Sequence, residues 1–313
     1  MPEIKDISVI IPLYNDEEVF TETLKRVAGI LEALGNTYEI VFVDDGSSDQ
    51  TRNLLEKETT MNKHVKAIFF SRNFGHQAAV SAGLKHSKGK VVIVMDSDMQ
   101  DPPELIPKMY SLFKEGNDVV YGIRKKRKES LIKRFCYHAF YRIAQIGSGK
   151  LKLPLDAGDF SLMSRRVVDH INNFPERNRY VRGLRSWVGF RQIGIPYERG
   201  SRYAGVSKYN TLKLFKIAYD GLFAFTELPL LIVNILGITF SIISFLGIIL
   251  ILGLRLFTSV YIPGFASTVI IILFIGGIQL LMLGIVGEYI KRLYDETKQR
   301  PLYIVDDTIN LHS

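Results

Sequence analysis

The sequence predicts an α/β domain built on a mostly parallel sheet, joined to two C-terminal helices that cross a membrane. Three observations predict it. Short apolar, β-branched runs alternate with amphipathic helical stretches through residues 1–210. Acid-rich polar segments follow several of those runs. Beyond Glu227 the composition changes: 228–254 and 256–287 contain no charged residue, with Arg255 alone between them.

ISVIIPL at 7–13 is a short buried-strand pattern. Asn15 or Asp16 can cap the helix that follows, in which Phe20, Leu24, Val27, Leu31 and Leu34 fall at helical spacing before Gly35 ends it. YEIVFVDD (38–45) reads as a second strand, and DGSSDQT as a turn into a helix over about 49–60. There Asp49 suits a cap better than a ligand. VKAIFF (65–70) is a third strand, HQAAVSAGLKHS (76–87) a helix, VVIVM (91–95) a fourth strand and DVVYG (118–122) a fifth. Ligands of such sheets sit beyond the carboxyl ends of the strands. Neither a G-x-G-x-x-G nor a G-x-x-x-x-G-K-[ST] phosphate loop is present.

A stretch of about 20 apolar residues crosses a bilayer, so both uncharged runs within 228–290 are long enough. Lys208, Lys213 and Lys216 precede the first span, Lys291, Arg292, Lys298 and Arg300 follow the second, and the loop at about 257–267 is uncharged. The positive-inside rule puts the large domain and the 291–313 tail in the cytoplasm, as a multi-pass protein of the inner or plasma membrane. The net charge of +8 belongs entirely to residues 1–227, with 35 Lys+Arg against 27 Asp+Glu, since 228–313 hold five of each. A single cysteine, Cys136, excludes an intramolecular disulfide and fits a reducing compartment. The N-terminus MPEIKDISVIIP lacks the pattern of a secretory signal.

VVIVMDSDMQDPPE (91–104) ends a strand on Asp96 and Asp98. Two carboxylates this close repel each other unless a cation intervenes. Oxygen ligands with open positions for phosphate suit Mg²⁺ or Mn²⁺, held by Asp98 and Asp96 with Gln100 from the same turn.

SVIIPLYNDEE, VFVDDGSSDQT, SRNFGHQAAVSAGL and VMDSDMQDPPE, in this order, resemble the inverting glycosyltransferases of family 2, across roughly residues 5–210. With the two apolar runs, the whole chain resembles the polyisoprenyl-phosphate glycosyltransferases of the bactoprenol glucosyltransferase type, with dolichol-phosphate mannose synthase as a more distant relative. The resemblance implies a nucleotide-diphospho-sugar transferase (GT-A, Rossmann-like) fold. It implies that Pro12, Tyr14, Asn15 and Glu17 line the nucleotide pocket and that Asp44 contacts the base or ribose, with Asp45 and Ser47 supporting the turn. Arg72, Asn73, Gly75 and Gln77 would lie near the sugar nucleotide, with Ser97, and Asp96 would bind ribose or sugar hydroxyls. Asp159 is the implied general base, with Asp156 as runner-up. Arg202, Ser207 and Lys208 fall in a segment resembling the family's closing loop over the diphosphate. A homotetramer and a partner flippase are implied in the same way.

Residues 121–152 hold ten Lys+Arg and one acid. Over 130–147, Ile132, Phe135, Ala139, Ile143 and Ile146 share one helical face opposite Lys133, Arg134, His138 and Arg142, the pattern of a helix lying in a membrane interface. Residues 211–227 repeat it less strongly. Nucleic acid is excluded as a partner by the lack of any reading element. Arg124, Arg134 and Arg202, with Ser207, are candidates to hold a lipid-linked phosphate. The expected reaction is inverting transfer of a sugar, with UDP-glucose favoured over UDP-GlcNAc or GDP-mannose, onto undecaprenyl phosphate at the bilayer. The alternatives are a processive polysaccharide synthase, whose Gln-x-x-Arg-Trp signature is not met by RGLRSW (182–187), and a silent nucleotide-sugar-binding module.

Overall fold

A computed structural model describes residues 5–125, 157–177, 179–198, 200, 228–257 and 264–311. The chain divides into two compact units, one of residues 1–141, 151–213 and 300–313, the other of 142–150 and 214–299.

The first unit is built on an eight-stranded sheet. Its elements are β1 (Ile7–Leu13), α1 (Glu17–Leu34), β2 (Tyr38–Asp44), α2 (Thr51–Met61), β3 (Val65–Phe70), α3 (His76–His86), β4 (Val91–Val94), α4 (Ile106–Lys114), β5 (Val119–Lys125), β6 (Ala157–Ser164), α5 (Arg165–Asn173), α6 (Val181–Trp187), β7 (Gln192–Glu198) and β8 (Val305–Ile309). The strand order is β7-β5-β6-β4-β1-β2-β3-β8. Every residue of β1, β2 and β3 is buried, as their unbroken apolar runs require. Alternation divides β1 between two cores. Ile7, Val9, Ile11 and Leu13 pack with Phe20 and Val27 of α1, Leu55 of α2 and Met109 of α4, whereas Ile10 packs with Val80 of α3, Val168 of α5 and Leu184 of α6. Helices therefore cover both faces, as expected.

The sheet is mixed rather than mostly parallel, which corrects the sequence-based expectation. β1, β2, β3 and β4 pair in parallel, as do β5 and β7, but β6 runs antiparallel to both β4 and β5, and β8 antiparallel to β3. β6, AGDFSLMS, carries too few branched apolar residues to announce a strand. β8, VDDTI, lies beyond the apolar runs and belongs to the sheet only through long-range pairing. The segment expected as a tail thus closes the sheet: Phe70 stacks on Tyr303 at 4.8 Å, and Asn310 Nδ2 donates to Thr59 O and Val65 O at 2.8 and 3.0 Å.

The second unit contributes α7 (Leu228–Phe257, 30 residues) and α8 (Phe265–Thr297, 33 residues). Phe240 and Phe274 meet edge to face at 5.9 Å. Among the described residues one segment, Phe274–Thr297, is long and apolar enough to cross a membrane, and none of it is buried; Val233–Gly247 is apolar but shorter. The expected interfacial helices at 130–147 and 211–227 lie outside the described residues.

Candidate active site

The carboxyl ends of β1, β2, β3 and β4 share one edge of the sheet. Because β6 runs the other way, its first residues, including Asp159, reach that same edge. The loops there are laced by side chain to backbone bonds. The Asn15 N–H donates to Ser47 Oγ (2.9 Å) and the Ser48 N–H to Asn15 Oδ1 (2.8 Å), with Asn15 in the left-handed region at φ 52° that asparagine tolerates. The Glu17 N–H donates to Asp49 Oδ2 (3.2 Å), and the Gln50 N–H to Glu17 Oε2 (2.8 Å). Asp49 also accepts from the Thr51 N–H at 3.0 Å, so it serves the turn leading into α2. Pro12 lies within β1, and Tyr14 is exposed just beyond it.

Asp44 and Asp45 are both buried at the end of β2. Burial raises the pKa of each. Asp44 accepts from the hydroxyl and amide of Ser47, which opposes the rise. Asp45 accepts the Phe74 and Gly75 N–H groups at 2.6 and 2.9 Å and so holds the loop after β3 against the loop after β2. Gly46 is required between them: its φ is +69°, and a Cβ would lie 2.5 Å from the Arg72 carbonyl carbon. Arg72 itself lies over the Phe74 ring at 4.0 Å and donates to Asn73 O at 3.0 Å.

His76, the first residue of α3, brings the edge together. Its Nε2 is 2.9 Å from Asp96 Oδ1 and its Nδ1 is 4.0 Å from Asp159 Oδ2. Burial opposes a charge on the imidazole, but the Asp96 hydrogen bond and the charges of Asp96, Asp159 and Asp45 outweigh it and raise the pKa to about 9. Gln77 fixes a different contact, accepting the Val181 N–H at the start of α6 at 2.8 Å. In the turn after β4, Ser97 donates to Asp16 Oδ2 at 2.7 Å and its carbonyl accepts from Thr23 Oγ1 at 2.9 Å, which ties the acidic turn to α1. Asp98 Oδ1 accepts the Gln100 N–H at 3.2 Å. Asp96, Asp98 and Gln100 thus offer hard oxygen donors on a single turn, a donor set that fits Mg²⁺ or Mn²⁺. Among the described residues no group of three His, Cys, Asp or Glu side chains forms a metal site, so such an ion would need further ligands from substrate.

Arg124, at the end of β5, is mostly buried, with 16% of its side chain exposed. Its Nη2 is 3.6 Å from Asp101 Oδ2, and its Nε donates to Tyr197 Oη at 3.2 Å. Tyr197 donates in turn to Asp101. Burial works against the Arg124 charge, but Asp101 and Tyr197 more than offset it and raise its pKa. Asp156, Arg134, Arg202, Ser207 and Lys208 lie outside the described residues. The sequence reading missed His76, Asp101, Tyr197 and Arg185. His76 was visible within SRNFGHQ but reads there as a helix start, while Asp101 and Tyr197 are 96 residues apart and meet only in three dimensions.

A mixed α/β sheet with an Asp-x-Asp turn at its carboxyl edge, facing a third carboxylate across a histidine, defines a glycosyltransferase of GT-A type. Residues 8–171 match the family model described as Glycosyl transferase family 2, and the chain belongs to that family. It is 43% identical to the uncharacterized glycosyltransferase YkcC of Bacillus subtilis, over 98% of this chain and 95% of that protein. It is 38% identical to the bactoprenol glucosyl transferase of Shigella phage SfV, over 96% of this chain and 97% of that protein. Among solved structures, glucosyl-3-phosphoglycerate synthase from Mycobacterium tuberculosis in complex with UDP superposes with a TM-score of 0.46 at 17% identity, covering 70% of this chain and 79% of that one.

Proposed function

We propose that the protein transfers glucose from UDP-glucose to undecaprenyl phosphate at the cytoplasmic face of a membrane, by a single inverting displacement. The observation that carries this reading is the 38% identity to bactoprenol glucosyl transferases across 96% of the chain, which takes in the catalytic edge and both apolar helices. A phosphate monoester has a second pKa near 6, so the acceptor is mostly dianionic at neutral pH and needs little deprotonation. Asp159 therefore orients the acceptor or the sugar more than it removes a proton. In this reading Asp44, Asn15 and Glu17 bind the nucleotide, and Arg124, Arg134, Arg202 and Ser207 bind the lipid-linked phosphate. Asp98 and Asp96, with Gln100, would hold Mg²⁺ or Mn²⁺. When bound, such an ion neutralises charge developing on the diphosphate.

The reading includes two membrane spans. β8 lies in the same sheet as the seven strands that precede α7, so the chain leaves and rejoins one unit. In this reading the chain crosses the bilayer twice between them, out and back. Within α8 the segment Phe274–Thr297, 24 residues, exceeds the roughly 20 that a bilayer core of about 30 Å requires, and α7, at 30 residues, holds the apolar stretch Val233–Gly247.

The test is a panel of radiolabelled UDP-glucose, UDP-GlcNAc and GDP-mannose with undecaprenyl phosphate, with and without EDTA. Label should reach the lipid from UDP-glucose, and EDTA should lower the rate at least about 100-fold. Transfer from another donor would replace the sugar assignment. Label released only as free sugar would overturn the acceptor, and EDTA-resistant transfer would overturn the metal.

A further inference from the structure

The peptide that carries Asp159 is gripped by Arg185, the second arginine of the RGLRSW stretch (182–187). Both terminal nitrogens of Arg185, on α6, donate to the Gly158 carbonyl, each at 3.4 Å. That carbonyl lies where strand pairing lapses: the register of β6 with β4 ends at Ser161, and its register with β5 shifts between Tyr121 and Ile123. Gly158 also lies against Arg124, whose Nη2 would be 2.8 Å from a Cβ at that position, so a side chain there would push the Arg124 head aside.

Arg185 is 1% exposed and is the largest fully buried side chain among the described residues. Burial lowers its pKa to about 10, and the charge of Asp159 is the foremost influence in the other direction. The Tyr121 ring lies 5.3 Å from the guanidinium, while the buried Nε has no acceptor among the described residues. A buried charge with an unsatisfied donor is a standing cost to folding. An apolar residue on α6 would pack without that cost but would not grip Gly158.

We propose that Arg185 is a positioning residue for Asp159, holding the Gly158–Asp159 peptide in place through the Gly158 carbonyl. The inference rests on the reading that Asp159 acts in sugar transfer. Arg185 does not itself meet the substrate.

The experiment is a double-mutant cycle on the full-length protein, using the donor found by the panel and undecaprenyl phosphate. Arg185→Gln, Arg185→Lys, Asp159→Asn and the two double variants are compared by kcat and donor KM, with UDP binding as the check that the donor pocket is intact. R185Q should lower kcat about 30-fold with donor KM within about threefold, R185K should recover at least about fivefold of that loss, and R185Q should cost less than about threefold once Asp159 is already Asn. Wild-type kcat in R185Q, no recovery in R185K, or losses that multiply in the double variant would overturn the proposal. If R185Q does not bind UDP, R185K carries the same cycle; if neither binds it, Arg185 is structural only and the proposal falls. If D159N alone turns over like wild type, the role of Asp159 fails first, which separates that failure from failure of the grip.

Discussion

His76 sits among Asp45, Asp96 and Asp159, and their negative charges favour its protonated form. Its folded pKa of about 9 exceeds the ordinary 6.5, so its stabilisation is present in full below pH 6.5 and is lost as pH rises through about 9. Thermal midpoints in EDTA should therefore show wild type above His76→Gln at pH 6, with the gap closing by pH 10. A gap that stays constant across this range would show that His76 is held by packing alone. The Gly46→Ala variant addresses the neighbouring turn. Its added carbon meets the Arg72 backbone, so about 2 kcal/mol or more of stability should be lost in denaturant titration.

β2 and β3 meet at the far end of the sheet through a charge pair that apolar strand patterns hide. Lys66 Nζ is 2.5 Å from Glu39 Oε2, with both side chains 3% exposed or less. Glu39 also accepts from Ser8 Oγ at 2.5 Å and from the Lys88 N–H at 2.6 Å. Lys66→Met should cost about 3–5 kcal/mol by stranding Glu39, and adding Glu39→Leu should restore much of it. Equal stability of K66M and wild type in urea would contradict this account. What was legible among the elements follows the same division. β1 to β4 and α1 to α3 announced themselves, because unbroken Val/Ile runs and 3.6-residue spacing are local signals. The catalytic edge was legible where its carboxylates followed such runs, as at Asp44, Asp45, Asp96 and Asp98. β6 and β7 were not legible: their strand character comes from neighbours distant in sequence, and Gly158, Gly194 and Pro196 dilute the local pattern. The Arg124–Asp101–Tyr197 cluster and the His76 bridge are likewise products of register, and no spacing rule could have paired them.

For the whole molecule, the telling feature is that the chain returns to the sheet after α8. Arg52 Nη1 pairs with Asp306 Oδ2 at 2.9 Å, and Ser71 N–H donates to Ile304 O at 3.1 Å, so residues 304–311 are part of the catalytic unit. Deleting residues 303–313 should bare the β3 edge, lower the thermal midpoint and favour aggregation, as measured by scanning fluorimetry and size exclusion. An unaltered midpoint would mean that β8 is dispensable. The proposed pair of spans, with both flanks cytoplasmic, predicts that a C-terminal fluorescent-protein fusion glows and that a periplasmic alkaline phosphatase fusion at the same point stays inactive. In the proposed reaction an anionic lipid head attacks the sugar directly at the Asp96–Asp98–Asp159 edge. The most direct measurement is the anomeric configuration, by NMR, of the product formed from UDP-α-glucose and undecaprenyl phosphate. A β-linked glucosyl phosphate lipid is the predicted result; an α-linked lipid, or glucose and UDP with no lipid product, would contradict it.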